Sequence, residues 1–410
     1  MDLPGIPFDL LTNLQAAAAA SGIKQLALVG GAVRDALLHH VHRDPWRCLP
    51  DLDLVVEGST EALASTLRDC LGGERVPDVR VHGSFGTVEL VLDGVTVDVA
   101  QARTEIYPAP GMNPLVASGC VQDDLIRRDF TINAMALVLH PNGLEPELLD
   151  LHGGQQDLAR RQLNFLHAGS VQDDPTRVIR GARYAARLGF SMAPQALSQL
   201  QTTVAAWPWA WSPGDALDAV PPALGTRLRM ELELLFDREP WRQAVSHLQA
   251  WGGLSLLDHQ LQNDRLLRRR LHQAERLRFP LLCALVAASA SPQSLARRLQ
   301  LPQQQQRWID QHIAFQAWLM KEVLPCSWQE WSAARWCDVL EVEAWSAEVV
   351  ALDVALLGPC WRPLLRWWGR WRHVTSPVTA KELLAQGMQP GPDVGKALRE
   401  ARLRALESVR

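Results

Sequence analysis

The chain has 410 residues, a net charge of −4, 47% hydrophobic residues and 21% charged residues. This length exceeds one ordinary core and predicts two to four domains, while the composition excludes a disordered chain. There is no long apolar run or basic leader, and the seven cysteines are scattered with none in C-x-x-C spacing. These features predict no membrane segment, no zinc cluster and a reducing cytoplasm.

Short β-rich runs fall at residues 25–30, 51–57, 87–92 and 95–100, with helical pieces at 32–39 and 60–71 between them. This pattern predicts an α/β (α+β) N-terminal domain. From about residue 155 the strand signal fades, and Leu, Ala, Gln and Arg recur at helical spacing. All but Trp46 of the 16 tryptophans lie at or after Trp207. The second half is therefore expected to be helical.

The run Leu28-Val29-Gly30-Gly31-Ala32-Val33-Arg34-Asp35 leads from an apolar strand through two glycines into a helix. A helix start offers free N–H groups to a phosphate, and Arg34 on the first turn would reach the same anion. The Gly-Lys-Ser/Thr ending of a Walker loop is missing. In Asp51-Leu52-Asp53-Leu54-Val55-Val56, the two carboxylates project from one strand face. Such a pair repels unless a cation lies between, and magnesium (Mg2+) suits carboxylate and phosphate oxygens. Asp51 and Asp53 are thus the candidate metal-binding and catalytic residues. Asp98 is either a third carboxylate from a neighbouring strand or part of a polar outward face. His39, His40 and His42 have poor ligand spacing and are expected in a loop with Trp46.

These segments resemble the head of the class II tRNA nucleotidyltransferase (CCA-adding) and bacterial poly(A) polymerase family. Further runs strengthen the resemblance: Arg127-Arg128-Asp129-Phe130-Thr131-Ile132-Asn133, Asp150-Leu151-His152-Gly153-Gly154 and Asp173-Asp174-Pro175-Thr176-Arg177. A weaker match is Arg227-Leu228-Arg229-Met230-Glu231-Leu232. The match covers about residues 25–235 and thins after that. The sequence departs from the family at Asp173, where Glu is usual, and at Leu151, where Pro is usual. It implies a nucleotidyltransferase head (1–149), then an all-α neck (150–215), body (216–325) and RNA-binding tail (326–410).

It also implies template-independent addition or repair of the tRNA 3′-terminal CCA from CTP and ATP, with release of pyrophosphate. Addition of only A or only CC, poly(A) synthesis, and a non-catalytic RNA-binding relative are the alternatives. By the same resemblance Arg128 contacts the nucleotide, Asn133 steadies the head–neck junction or the ribose, and the loop at 103–119 is a mobile loop. Gly30, Gly31, Arg34, Arg128, Asp174, Arg177, Arg180 and Arg183 form the expected nucleotide-binding set.

Chemistry supports these placements. Arg177, Arg180, Arg183 and Arg187 share one broad helix face and need an anion or acidic neighbours. Asp174 and Arg177 together would read cytosine and adenine, which offer an amino donor beside an unprotonated ring nitrogen. Asp174 before Pro175 is also a good helix cap. For the RNA partner, arginines cluster at 265–278 and arginines with tryptophans at 361–372. The latter is either a stacking surface or a helix with a Trp core face and an Arg solvent face. The glycine-rich stretch at 387–395 is either a phosphate cradle or a tight turn between helices.

Overall fold

The computed structural model describes residues 3–7, 9–46, 51–82, 86–140 and 145–407, with Asp51 described for its backbone alone. In chain order the first elements are α1 (Leu10–Ala20), β1 (Leu26–Val29), α2 (Gly31–His40), β2 (Asp51–Val56) and α3 (Thr60–Leu71). Next come β3 (Val79–His82), β4 (Thr87–Leu92), β5 (Val95–Gln101), β6 (Arg103–Ile106) and β7 (Leu115–Ser118). Then follow α4 (Val121–Ile126), β8 (Met135–Leu139) and β9 (Glu147–Asp150).

Seven of these strands form one sheet in the order β3-β4-β5-β2-β1-β8-β9. Only the β2–β5 pair is parallel. The two all-apolar strands, β1 and β8, lie inside the sheet and are buried along their whole length. Their side chains alternate between two cores. Ala27, Val29, Val55, Ala136 and Val138 pack with Val121 and Leu125 of α4. The other face is covered by α2. Each large aliphatic side chain fully buried in this way contributes about 1.5–3 kcal/mol. The helix at 60–71 forms as expected: Ser59 caps its start by accepting from the Ala62 N–H, and Gly72 ends it.

Two expectations are corrected. His39 and His40 close α2 instead of lying in a loop, and His39 Nδ1 lies 2.9 Å from the Asp44 carbonyl. The stretch at 103–119 contains an antiparallel hairpin, β6 with β7. Its turn region is tied down, because the Gly111 N–H donates to the Asp173 carbonyl at 3.2 Å and its carbonyl accepts from Ala223 at 3.1 Å.

After the sheet come α5 (Gly154–Arg160), a parallel pair of two-residue strands β10 (Gln162–Leu163) and β11 (Ser191–Met192), α6 (Ser170–Asp173), α7 (Thr176–Leu188), α8 (Pro194–Ala206), α9 (Thr226–Arg238) and α10 (Trp241–Trp251). Gly181 in α7 has a specific reason: a Cβ there would stand 3.0 Å from the Phe130 ring. Its absence lets α7 lie against Phe130, which stacks on Phe165 with centroids 5.0 Å apart.

The chain divides into two compact units: residues 1–213, 221–231 and 239–253, and residues 214–220, 232–238 and 254–410. The second unit is helical, with α11 (His259–Asn263), α12 (Leu267–Arg276), α13 (Leu281–Ala287), α14 (Pro292–Arg298), α15 (Gln303–Trp318), α16 (Ala333–Val342), α17 (Ala347–Ala355), α18 (Trp361–Gly369), α19 (Ala380–Ala385) and α20 (Pro392–Glu407). In α18 the Trp core face and Arg solvent face are realised. Trp367 is buried, Arg362 and Arg366 are exposed, and the Arg362 guanidinium lies 4.7 Å from the Trp361 ring centroid. On α12, Leu267, Leu271 and Ala274 are buried while Arg268, Arg269 and Arg276 are exposed. Thr379 and Glu382 form a capping box that starts α19, and the glycines at 387 and 391 connect it to α20. No helix among the described residues is long and apolar enough to cross a membrane.

Candidate nucleotide site

The site lies in the first unit, in a cavity of about 590 Å³, a size suited to a small-molecule ligand. Its floor is the turn from β1 into α2. Gly30 has φ +70°, and a Cβ there would sit 3.1 Å from Asp53 Oδ2 and 3.5 Å from Arg128 Nη1. Glycine therefore answers two needs at once, a left-handed backbone and close approach. Gly31 begins α2, and Arg34 follows on its first turn.

Asp53 lies on β2 with an exposed side chain. The parallel register places it beside Asp98, half-buried on β5, and Glu89 on β4 pairs with Asp98 on the other side. Asp98 therefore shares the face of Asp53, as a third carboxylate requires. The backbone of Asp51 pairs with Thr96, and its side chain lies outside the described residues. No thiol or imidazole is among the described residues that line the cavity. Carboxylates alone are donors for a hard divalent cation.

Of the expected set, Gly30, Gly31, Arg34, Asp53, Arg128, Asp174, Arg177 and Arg180 all line this cavity. Arg183 does not. It is 7% exposed and its guanidinium binds Glu231 and Glu239. The arginine face of α7 is thus paired with acids of its own unit. Arg180 donates to Asp129 at 2.8 Å and Glu231 at 3.1 Å, and Arg187 binds Glu239. At the other end Asn133 joins this chain to the floor, accepting from Arg34 at 2.8 Å and donating to Asp129 at 3.1 Å. Burial alone would raise the Asp129 carboxyl. The Arg180 charge and the Asn133 amide outweigh it and hold the group below the usual carboxylate range.

The opposite wall carries Asp174 and Arg177. Asp174 is 6% exposed. Its Oδ1 accepts from the Thr176 N–H at 3.1 Å and the Thr176 hydroxyl at 2.6 Å. Its Oδ2 accepts from Arg227. The helix-cap expectation for Asp174 is shifted by one residue: Pro175 holds the cap position of α7, and the Asp174 carboxylate, which faces the cavity, accepts from the N–H of Thr176, the first residue of that helix. Arg177 donates to the Arg127 carbonyl at 2.8 Å and the Ser170 carbonyl at 3.4 Å. His167 lies beside it, and burial together with the Arg177 charge pushes that imidazole below its usual value.

Several residues that line the cavity were outside the expected nucleotide-binding set. Glu105 on β6 accepts from Arg103 and Arg127, and from the Tyr107 hydroxyl at 3.3 Å. Burial raises the Tyr107 phenol to about 12. Tyr184 sits under Arg34, Arg180 and Arg187, with ring centroids 5.7–5.8 Å from the guanidinium carbons. Arg227 and Glu231 come from α9. In all, eight arginines and six acids line the cavity, an excess that suits an anion.

Residues 26–164 match the family described as Poly A polymerase head domain. A CC-adding tRNA nucleotidyltransferase of Deinococcus radiodurans is 42% identical over 234 residues, which is 57% of this chain and 55% of that one. An A-adding tRNA nucleotidyltransferase of Halalkalibacterium halodurans is 40% identical over 168 residues, 40% of this chain and 36% of that one. The chain thus spans about half or less of the length of these curated relatives. Among solved structures, a CCA-adding enzyme in an apo form shares the fold with a TM-score of 0.75 over 99% of this chain and 94% of that one, at 23% identity.

Proposed function

We propose, from the match of residues 26–164 to the poly A polymerase head domain, that this chain is a cytoplasmic, template-independent nucleotidyltransferase. It adds or repairs the 3′-terminal CCA of tRNA, using CTP and ATP. One observation carries the reading. A single arginine-rich cavity holds Asp53 beneath the Gly30 turn and Asp174 on another wall.

The tRNA 3′-hydroxyl attacks the α-phosphate, and pyrophosphate leaves. The N–H groups at the start of α2 and the nearby Arg34 and Arg128 guanidinium groups receive the triphosphate. Asp53, with Asp51 two residues before it, would hold Mg2+. When bound, such ions activate the attacking oxygen and stabilise the leaving one. Asp174 accepts from the amino group of cytosine or adenine, with Arg177 on the same wall. Uracil and guanine present a carbonyl there, at a cost of about 1–3 kcal/mol per mismatched contact. No nucleic-acid template is needed for this choice.

Addition of only CC or only A is the second reading, favoured by the two curated relatives that do one or the other. The test uses three tRNA transcripts: one lacking CCA, one ending in C and one ending in CC. CTP and ATP are supplied with Mg2+, and products are resolved to single nucleotides. Extension of all three to CCA is the expected result. Extension of the CC-ended transcript alone means an A-adding enzyme, and halting at CC means a CC-adding one. If Asp53→Ala extends as well as the parent, the metal assignment fails. Extension of none of them by the parent protein sinks the proposal.

A further inference from the structure

The geometry points to the Tyr184 hydroxyl as a further binding group of the cavity, one that donates to a phosphate oxygen of the bound nucleotide. This rests on the reading of the cavity as a nucleotide site. Tyr184 lies on α7 one turn after Arg180 and one turn before Arg187, so it shares their face. It is half-buried and lines the cavity. The guanidinium carbons of Arg34, Arg180 and Arg187 stand 5.7, 5.8 and 5.8 Å from its ring centroid. Three cations thus surround one neutral aromatic side chain. Arg34 among them belongs to the first turn of α2, where the free N–H groups lie.

The hydroxyl has a donor to spare. Its oxygen accepts from Arg180 Nη2 at 3.1 Å, while its own proton goes to no acceptor among the described residues. The nearby acids are engaged by the arginines: Asp129 and Glu231 by Arg180, Glu239 by Arg187 and Asp35 by Arg34. Burial pushes the phenol above its usual range, so it keeps its proton at neutral pH. Unlike the arginines, it has no carboxylate partner to give up. An oxyanion drawn to Arg34 arrives beside it and takes that proton in a hydrogen bond. A bond to a charged acceptor is among the stronger kinds. The acceptor is a phosphate oxygen because the cations around the ring favour negative charge there. A ribose hydroxyl or a base edge is neutral and gains little from them.

The test measures equilibrium binding of pyrophosphate and of CTP to the full chain without RNA, so it does not depend on transfer to tRNA. Tyr184→Phe keeps the ring, and Arg180 keeps Asp129 and Glu231. Affinity for each ligand should fall by about tenfold. A second readout separates contact from a merely structural role. The chain has 2 tyrosines, Tyr107 and Tyr184, so isotopic labelling of tyrosine Cζ gives two resonances, and Tyr184→Phe removes one. In the parent that resonance should move downfield, toward the phenolate position, when pyrophosphate is added. Thermal melts check folding. If Tyr184→Phe does not fold, Tyr107→Phe assigns the resonances instead and the shift decides. Parental affinities in Tyr184→Phe overturn the assignment, and so does weakened binding with a Tyr184 resonance that pyrophosphate leaves in place. A parent that binds neither ligand overturns it together with the nucleotide-site reading. Failure of tRNA extension with the shift and the affinity loss both observed would refute the transferase reading and leave this assignment standing.

Discussion

Replacing Asp129 by Asn tests whether the charge chain behind the cavity holds the first unit together. The carboxylate receives the Phe130 N–H at 2.8 Å, the Asn133 amide at 3.1 Å and two Arg180 donors at 2.8 and 2.7 Å. The Asn variant leaves Arg180 with Glu231 as its acid partner. Breaking a fully buried ion pair costs about 3–5 kcal/mol. Arg180 keeps Glu231, and its side chain is 34% exposed, so water offsets part of the loss. The expected destabilisation is about 2 kcal/mol. Its pH dependence has a definite sign. The folded carboxyl titrates below its unfolded value, so its contribution is whole well above about pH 4, the unfolded value. It is lost as the pH falls from there through the folded value. Asn contributes nothing of this kind at any pH. Urea unfolding of both proteins should therefore show the full gap near about pH 7 and a narrower one below about pH 4. Equal stabilities at neutral pH, or a gap that stays constant on acidification, would refute the reasoning.

Three further outcomes are expected. Gly30→Ala adds about 1–2 kcal/mol of backbone strain and presses on Asp53. Single-turnover extension of a CC-ended tRNA should fall by about tenfold or more, while urea stability drops by the strain alone. Burial pushes the Cys283 thiol up to about 12, and Cys337 and Cys360 likewise. Brief alkylation followed by peptide mapping should therefore find the exposed Cys70 and Cys326 modified first. In the second unit His312 Nε2 lies 3.2 Å from Asp353 Oδ1, with both residues buried. His312→Ala strands that carboxylate and should cost about 3 kcal/mol in urea unfolding, with CTP binding in the cavity unchanged.

The sequence revealed some elements better than others. The alternation in 51–56 and 87–92 and the capped pattern of 60–71 were legible because each signal is local. Strand β3, Val-Arg-Val-His, was missed, since an edge strand with three exposed residues has no core-facing pattern. Strand β8 was missed because it directly follows a motif whose residues speak of chemistry, and Met-Ala-Leu-Val-Leu reads as readily as helix. The arginine face of α7 announced a need for anions, but their source was hidden. Glu231 and Glu239 arrive from 48 or more positions away, and no spacing rule predicts which acids a fold will bring. Asp129 was in view yet read as part of a motif and not as the partner of Arg180. Asp174 illustrates the opposite case, in which the two readings offered by its local context are compatible in one carboxylate.

The alternating chain from Arg34 through Asn133, Asp129, Arg180 and Glu231 to Arg183 would also bear on how an anion comes and goes. Its cations are already engaged before any ligand arrives, so a phosphate group would compete with carboxylates for them. Such competition keeps the net gain per contact small. The reverse exchange is equally ready, because the displaced acids stay anchored on α9 and beside Phe130. On the proposed reading, a highly charged product would leave as these carboxylates reclaim their partners. A cavity lined with bare arginines would instead hold pyrophosphate and slow each cycle at its exit step.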